Sequence, residues 1–586
     1  VLLSCHDSSP EEQAGEMVLH HYFPSKIKSF DPVLVQDEYT LNVCSQIFER
    51  LYQYHYLKRP YVLIPLLADG MPEFSEDKLM CTVKIKKGVY FQDDVCFPNG
   101  RGRELKAEDF VYSLKRTADI KNLSPNWSGF EDKIVGLDEF REYTKSCKTA
   151  ADVDYSRPIE GLQTPDDYTL IIKLKRPWPQ LVDNMMAGVR YAPVAREAVE
   201  YYRKDIVSHP VGTGPFILKE WKRGSYIELV RNPNFRGEPY PSEGNPGDAE
   251  AGMLDDAGKM IPFADRIVWR IIEEEQPAWF LFLQGELDGK AIPKDNWGEA
   301  IAGPGELTEK MKRLNIRLEK ILDASVFFLG FNMQDPVLGR NKPLRQAISY
   351  SIDREGFIRT FFNGIHDVAH GIIPPIMPDY DPNIKQLGYA NYDPNKARQL
   401  VREAEKIYGG KIPTLKIAFQ GTGSFYRQFG QFIKRNIEAV GLKIELDLMD
   451  WPTFQEKVNS ADVQIFATGG GAGIPDSQDF LTMFYSKYKA PGPNQFNYVN
   501  LEFDRLFELT SVMGDSPERR RLYQKMERIA LEDCPAAFLN HRVGYVLIHD
   551  WYKNYRYHIF QYGLSKYHKI DMDKQAAYKE LLKKVK

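Results

Sequence analysis

The chain has 586 residues, enough for several lobes, because a single hydrophobic core stops growing at roughly 250–300 residues. Its 43% hydrophobic and 27% charged residues give an ordinary globular balance and exclude a disordered chain. Lys+Arg 77 against Asp+Glu 81 leaves a net charge of −4, without the basic excess that displaces counterions from nucleic acid, and no apolar run is long enough to read as a bilayer-spanning helix.

Val1-Leu2-Leu3-Ser4-Cys5, followed by the polar run His6 to Glu12, resembles the end of a bacterial lipoprotein signal, so Cys5 is expected to carry the lipid. From Met17 onward short strand-like runs alternate with helical runs, an α/β pattern. Thr40 to Tyr54 spaces Leu41, Cys44, Ile47, Phe48 and Leu51 as a helix with Thr40 as N-cap. Leu79 to Phe91 reads as a hairpin turning at Gly88, and Leu105 to Lys115 as a helix with acidic Glu108 and Asp109 in its first turn. Tyr168 to Leu174, Ser225 to Val230 and Ile267 to Ile272 alternate as strands. Between the last two, Gly237 to Lys259 is rich in Gly, Pro and acid, without the ordered spacing of a calcium loop, and reads as a solvated surface insertion. Ala278 to Gln284 is a short helix stopped by Gly285. Leu415 to Phe419, Phe425 to Val440 and Lys443 to Met449 form a β-α-β unit, with Gly441 as helix C-cap. None of the six cysteines stands in a CxxC or metal-type spacing. Cys81 and Cys96 could bridge in an oxidising compartment, which spacing leaves open.

Several segments together resemble one family. Gly102 to Arg116, Gly212-Thr213-Gly214-Pro215-Phe216, Arg231-Asn232-Pro233-Asn234-Phe235, Gly285-Glu286-Leu287-Asp288, Leu329 to Asn332 with Pro343 to Arg354, and Asn500 to Leu506 are similar, in order, to signatures of the oligopeptide- and dipeptide-binding proteins, family 5 of the bacterial extracellular solute-binding proteins. The resemblance covers roughly residues 17 to 550. It implies an α/β, bilobed periplasmic-binding-protein (Venus flytrap) fold with an additional domain and mixed sheets in each lobe. The implied division is a tether at 1–16, lobe I from 17–57 with 205–290 and 541–586, an extra domain at 58–204, and lobe II at 291–540. The implied role is the extracytoplasmic subunit of an ABC importer, in the periplasm or on the cell surface, monomeric, attached to the membrane by its lipid alone. It delivers a peptide or small solute from an interdomain cleft to a permease, without cofactor, metal, nucleic acid or enzymatic chemistry. The signature residues themselves are expected to be structural, as turns, caps and inter-strand bonds.

The resemblance also places the ligand. The family's early loop aligns on Asp31 to Tyr39, which makes Gln36, Glu38 and Tyr39 ligand residues or, equally, solvated groups at a helix entry. The late loop aligns on Gly470 to Leu481 in a register fixed by Pro475, Asp476 and Phe480-Leu481. Gly470 then stands where the family has a tryptophan, and Gly473 where it has the aspartate that pairs with a peptide α-amine. Gly471 and the neighbouring glycines open space, and Glu38 or Asp476 is left to replace the missing carboxylate. Gly421-Thr422-Gly423-Ser424, between a strand and a helix, suits an anion, so Thr422, Ser424 and Phe425 join the candidates. Trp127 is a stacking platform or a packed aromatic. Other readings stay open: a sugar, opine or metal-chelate ligand, a sensor or chaperone of the same fold, and, remotely, a metal hydrolase at His366 and His370, which lack the glutamate of HExxH.

Overall fold

The computed structural model describes residues 15–585 apart from 60 and 304, so Cys5 lies outside the described residues. The chain divides into two compact units, one of 1–319 with 546–586 and one of 320–545. It passes from one to the other inside two long strands, Ile316–Phe331 and Ala536–His549.

The first unit contains a four-stranded sheet in the order Val18–Phe23, Arg266–Ile271, Tyr226–Arg231, Phe216–Lys222. Val18–Phe23 runs parallel to its neighbour and the other pairings are antiparallel. A second four-stranded sheet, Glu73–Phe74, Met80–Lys84, Thr169–Lys173, Leu162–Asp166, shares a core with the helix Ala107–Ala118. That helix starts with Asp109 in its first turn accepting from the backbone of Lys106 at 2.8 Å, which spends an otherwise orphaned donor. The second unit is built on the strand order Ala536–His549, Ile316–Phe331, Ile465–Gly471, Leu415–Phe419, Ile444–Leu448, with helices Ser424–Glu438 and Pro394–Tyr408 among those flanking it. Leu415–Phe419 and Ile444–Leu448 are parallel neighbours joined through Ser424–Glu438, the β-α-β unit that the hydrophobic periodicity indicates.

The structure corrects three local expectations. The first helix spans Glu38–Ile47 and is capped by Asp37, not Thr40; at Phe48 the backbone turns extended, and the buried Glu49, bound by Arg236 at 2.7 and 2.8 Å, follows. Met80–Lys84 does not fold back on residues 85–91; its partner is Thr169–Lys173, a pairing no local pattern could indicate. Gly237 to Lys259 is a surface insertion as expected but is not freely solvated, because Tyr240, Asp248 and Asp256 are buried. Asp248 takes Arg556 at 2.5 and 2.9 Å, and Asp256 accepts from Asn554 at 2.9 Å and from Lys569 at 3.0 Å. Burial works to raise the Asp256 carboxyl, but the hydrogen bonds from Lys259, Asn554 and Lys569 hold it down at about 2. Tyr240 packs there with Tyr56 and Tyr567. The five described cysteines are unpaired.

Most signature residues are structural. Arg116 holds Asp31 at 2.9 and 2.6 Å in a buried pair. A Cβ on Gly212 would stand 2.0 Å from the Ile47 carbonyl oxygen and one on Gly214 would stand 2.4 Å from that of Gln46. Asp353 and Asn500 are helix N-caps, and Arg345 donates to the carbonyls of Cys534, Leu338 and Asp533.

Candidate functional site

The candidate residues fall into two groups, one in each unit. In the first unit, residues 31–39 form a clamped loop. Asp31 pairs with Arg116 and also accepts from the backbone of Val33, opening a short 3-10 turn. Ser124 Oγ donates to the Val33 carbonyl at 2.8 Å, and Asn126 Nδ2 to the Val35 carbonyl at 3.2 Å. Asp37 then starts the helix by accepting from the backbone and hydroxyl of Thr40. Against this fixed frame Gln36 and Glu38 are exposed, and Tyr39 is half-buried with its ring 5.1 Å from Phe23. Trp127 is not an open platform. It is 9% exposed, belongs to the core, and has the Arg141 guanidinium 4.7 Å above its ring. Its bulk is apolar surface better packed than wet.

In the second unit, Leu415–Phe419 and Ile465–Gly471 run parallel, so both reach their carboxyl ends on the same side, where ligands of such sheets bind beside helix N-termini. Their pairing stops at Phe419 opposite Ala467, whereas Ile465–Gly471 continues opposite Ile316–Phe331 until Gly471 faces Ser325. Thr468 to Gly471 therefore has a strand neighbour on one flank only, and among the described residues no strand continues the pairing on the other. The alternation of the antiparallel ladder turns the N–H and C=O groups of Gly469 and Gly471 to that flank, within a run of three glycines. The glycines are not equivalent. A Cβ on Gly469 would meet the Phe327 ring at 2.4 Å, whereas on Gly470 it would meet only Met483 Sδ at 3.4 Å.

Beside this edge lies the loop that begins Ser424–Glu438. Gln420 Oε1 accepts from the Thr468 hydroxyl at 2.9 Å and ties the loop to the glycine strand. Thr422 and Ser424 are exposed, the Thr422 carbonyl accepts from Arg427, and Phe425 is half open, edge-on to Phe361 at 5.7 Å. Thr422, Ser424, Phe425, Gly470 and Gly471 are thus brought to one end of one sheet.

Asp476 does not serve as a spare carboxylate. Arg519 donates to it at 2.7 Å, Tyr523 at 3.0 Å and the backbone of Gln478 at 2.9 Å, which makes it a brace for the turn. The acid beside Gly473 is instead Asp479, which sequence reasoning missed. Its Oδ2 accepts from the Gly473 backbone and would lie 3.5 Å from a Cβ placed on Gly473. A carboxylate therefore occupies the space where a side chain from 473 would project, supplied six residues later by the helix Gln478–Thr482. His366 and His370 go to different surroundings: His366 stacks on Phe362 at 3.8 Å and contacts Asn540 at 2.8 Å, whereas His370 lines a separate cavity.

Comparison with known proteins agrees with this architecture. The model of a family described as bacterial extracellular solute-binding proteins, family 5 Middle, matches residues 62–492. The chain is 23% identical over 513 residues to the oligopeptide-binding protein AppA of Bacillus subtilis (strain 168), covering 84% of this chain and 80% of that protein. It is 25% identical over 520 residues to the glutathione-binding protein GsiB of Escherichia coli O1:K1 / APEC, covering 87% and 86%. Among solved structures it resembles the periplasmic binding protein DppA of Helicobacter pylori in complex with the peptide STSA, with TM-score 0.75, 21% identity, and coverage of 95% of this chain and 98% of that one. The fold is that of the periplasmic binding proteins.

Proposed function

The chain belongs to family 5 of the bacterial extracellular solute-binding proteins, a family of binders and not of enzymes, and from that premise we propose that it captures a peptide outside the cytoplasm for an ABC importer. The observation that carries the peptide reading is the one-sided strand at Thr468 to Gly471. An extended peptide can pair with such an edge through its own backbone, as in β-strand addition, and glycines let it approach. Relatives named for oligopeptides and glutathione support the same class. Exposed Thr422 and Ser424 and the half-open ring of Phe425 flank the backbone.

Asp479 takes the ligand's α-ammonium. Releasing Asp479 from the Gly473 N–H exchanges a neutral donor for a charged one, the stronger partner for a carboxylate. The ligand goes to a membrane permease, the chain acts as a monomer without chemistry of its own, and an acyl chain on Cys5 attaches it to the membrane. Partition of a lipid-processed clone with membranes, abolished by Cys5→Ser, tests the anchor. Titration calorimetry with short peptides and their N-acetylated forms tests the ligand. Free-amine peptides bind more tightly than acetylated ones, and the gap closes in Asp479→Asn. No binding of any peptide, with a non-peptide solute binding instead, overturns the reading.

A further inference from the structure

The second unit has a small, partly open cavity that none of the candidate ligand residues lines. Its volume is about 10 Å³, room for one water-sized occupant, and its walls include Ser349, Arg354, His370, Ala390, Cys534 and Phe538. The charge balance of these walls is unusual. Arg354 is 2% exposed, and all its partners are neutral: Nε donates to the Phe538 carbonyl, Nη1 to the carbonyls of Ser349 at 2.9 Å and Ala390 at 3.0 Å, and Nη2 to the Ser349 hydroxyl at 2.8 Å. A guanidinium has five N–H groups, so one on Nη2 remains beyond these bonds. A buried guanidinium that loses water without meeting an opposite charge carries an uncompensated desolvation cost. Burial correspondingly pulls the Arg354 guanidinium down to about 10, a low value for arginine.

His370, another residue of the cavity wall, carries a second unmatched group. His370 Nδ1 is buried and has no hydrogen-bond partner. The charges its ring senses, after burial itself, are Lys385, Arg354 and the exposed Glu355, so the balance around it is positive. Cys534, buried beside them, has both Arg345 and Arg354 within electrostatic reach. Arg345, like Arg354, bonds backbone carbonyls. The site thus has one fixed cation, one unspent guanidinium N–H, one unpartnered ring nitrogen, and space for a single small occupant.

We propose that this cavity is a binding site for one small monovalent anion of halide size, held by Arg354 Nη2–H and by the Nδ1–H tautomer of His370. The ion neutralises Arg354 and ties the turn after Val368 to the helices Lys342–Ser351 and Arg354–Phe362 and to the strand Ala536–His549. It is a structural ion, independent of which solute the protein carries.

Two measurements on the intact protein test this. Crystals grown with bromide in place of chloride should show an anomalous peak in the cavity. Thermal unfolding in potassium bromide, compared with potassium gluconate at equal ionic strength, should show a saturable rise in Tm on the order of 2–4 °C, since an ion that binds only the folded state stabilises it by mass action. His370→Leu keeps the bulk and removes the donor, and Arg354 stays in place so that the fold is not put at risk. Both the peak and the salt-specific rise should disappear in that variant. A cavity holding only water, with superimposable melting curves in the two salts, overturns the proposal. An undiminished bromide peak in His370→Leu overturns the part assigned to the histidine.

Discussion

The loop at 31–39 in the first unit is fixed by side chains: a buried aspartate-arginine pair, two polar residues grasping its carbonyls, and an aspartate that caps the next helix. The segment at 468–473 in the second unit is shaped by missing side chains, with three glycines at a strand end whose neighbour has already stopped. Both present polar groups outward, but the first does so on a frame that a charge change collapses. The second does so through backbone that added bulk covers. A loop of the first kind tolerates change at its exposed tips and not at its base. The second kind has the opposite sensitivity, except at Gly469, where a ring already fills the space.

The largest effect falls on the clamp. Arg116→Met leaves Asp31 buried without its partner and should cost about 3–5 kcal/mol in denaturant unfolding, with the double change Arg116→Met/Asp31→Asn recovering part of it. An equal loss in the single and double variants would show that the pair is not what holds the loop.

Acid should separate the units. Burial depresses His549 to about 3 and His558 to about 2 in the first unit. A depressed histidine contributes stability above its unfolded pKa near 6.5 and loses it as pH falls, by about 1.4 kcal/mol per pH unit for each group. In the second unit burial lowers His366 to about 3 and His541 to about 4 in the same way, but it raises Glu527 to about 7. A raised carboxyl contributes stability below its unfolded value of 4.5 and loses it as pH rises through 7, so between pH 6.5 and 4.5 it opposes His366 and His541 and offsets part of their loss. Hydrogen exchange resolved by segment should therefore show the first unit weakening sooner across that window, and Glu527→Gln should remove the second unit's compensation. Equal weakening of both units would contradict the assignment.

At the proposed ligand edge, Asp479→Asn should reduce affinity for free-amine peptides by ten- to more than a hundredfold, the size of a charged hydrogen bond of about 1.5–3 kcal/mol, without affecting N-acetylated ones. The smallest effect on stability, within about 1 kcal/mol, belongs to Gly470→Ala, because its Cβ meets only a flexible methionine tip. Gly469→Ala meets a ring and should cost about 1–3 kcal/mol.

Much of this was legible in the residues, where the signal is local. The helix Ala107–Ala118, the alternating strands and the β-α-β unit each carry their own pattern, although the helix of that unit ends at Glu438 with Ala439, not Gly441, as its C-cap. Long-range partners left no such trace. The pairing of 80–84 with 169–173 and the docking of 237–259 onto Arg556 and Lys569 join distant segments, so periodicity read one as a hairpin and composition read the other as a solvated loop. The glycine run in the late loop stood out at once, but Asp479 did not. Its role arises from a helix turning a carboxylate back six residues, and the turn brace Asp476 looked like the more natural acid.

The most direct test of the central claim is amide hydrogen exchange at Thr468 to Gly471, with and without a peptide shown by calorimetry to saturate the protein. The account predicts marked slowing at Gly469 and Gly471 on binding, because in the alternating antiparallel ladder their N–H groups face the open flank that a ligand backbone would complete, whereas those of Thr468 and Gly470 already face Ile316–Phe331. Unchanged exchange there under saturation would contradict it.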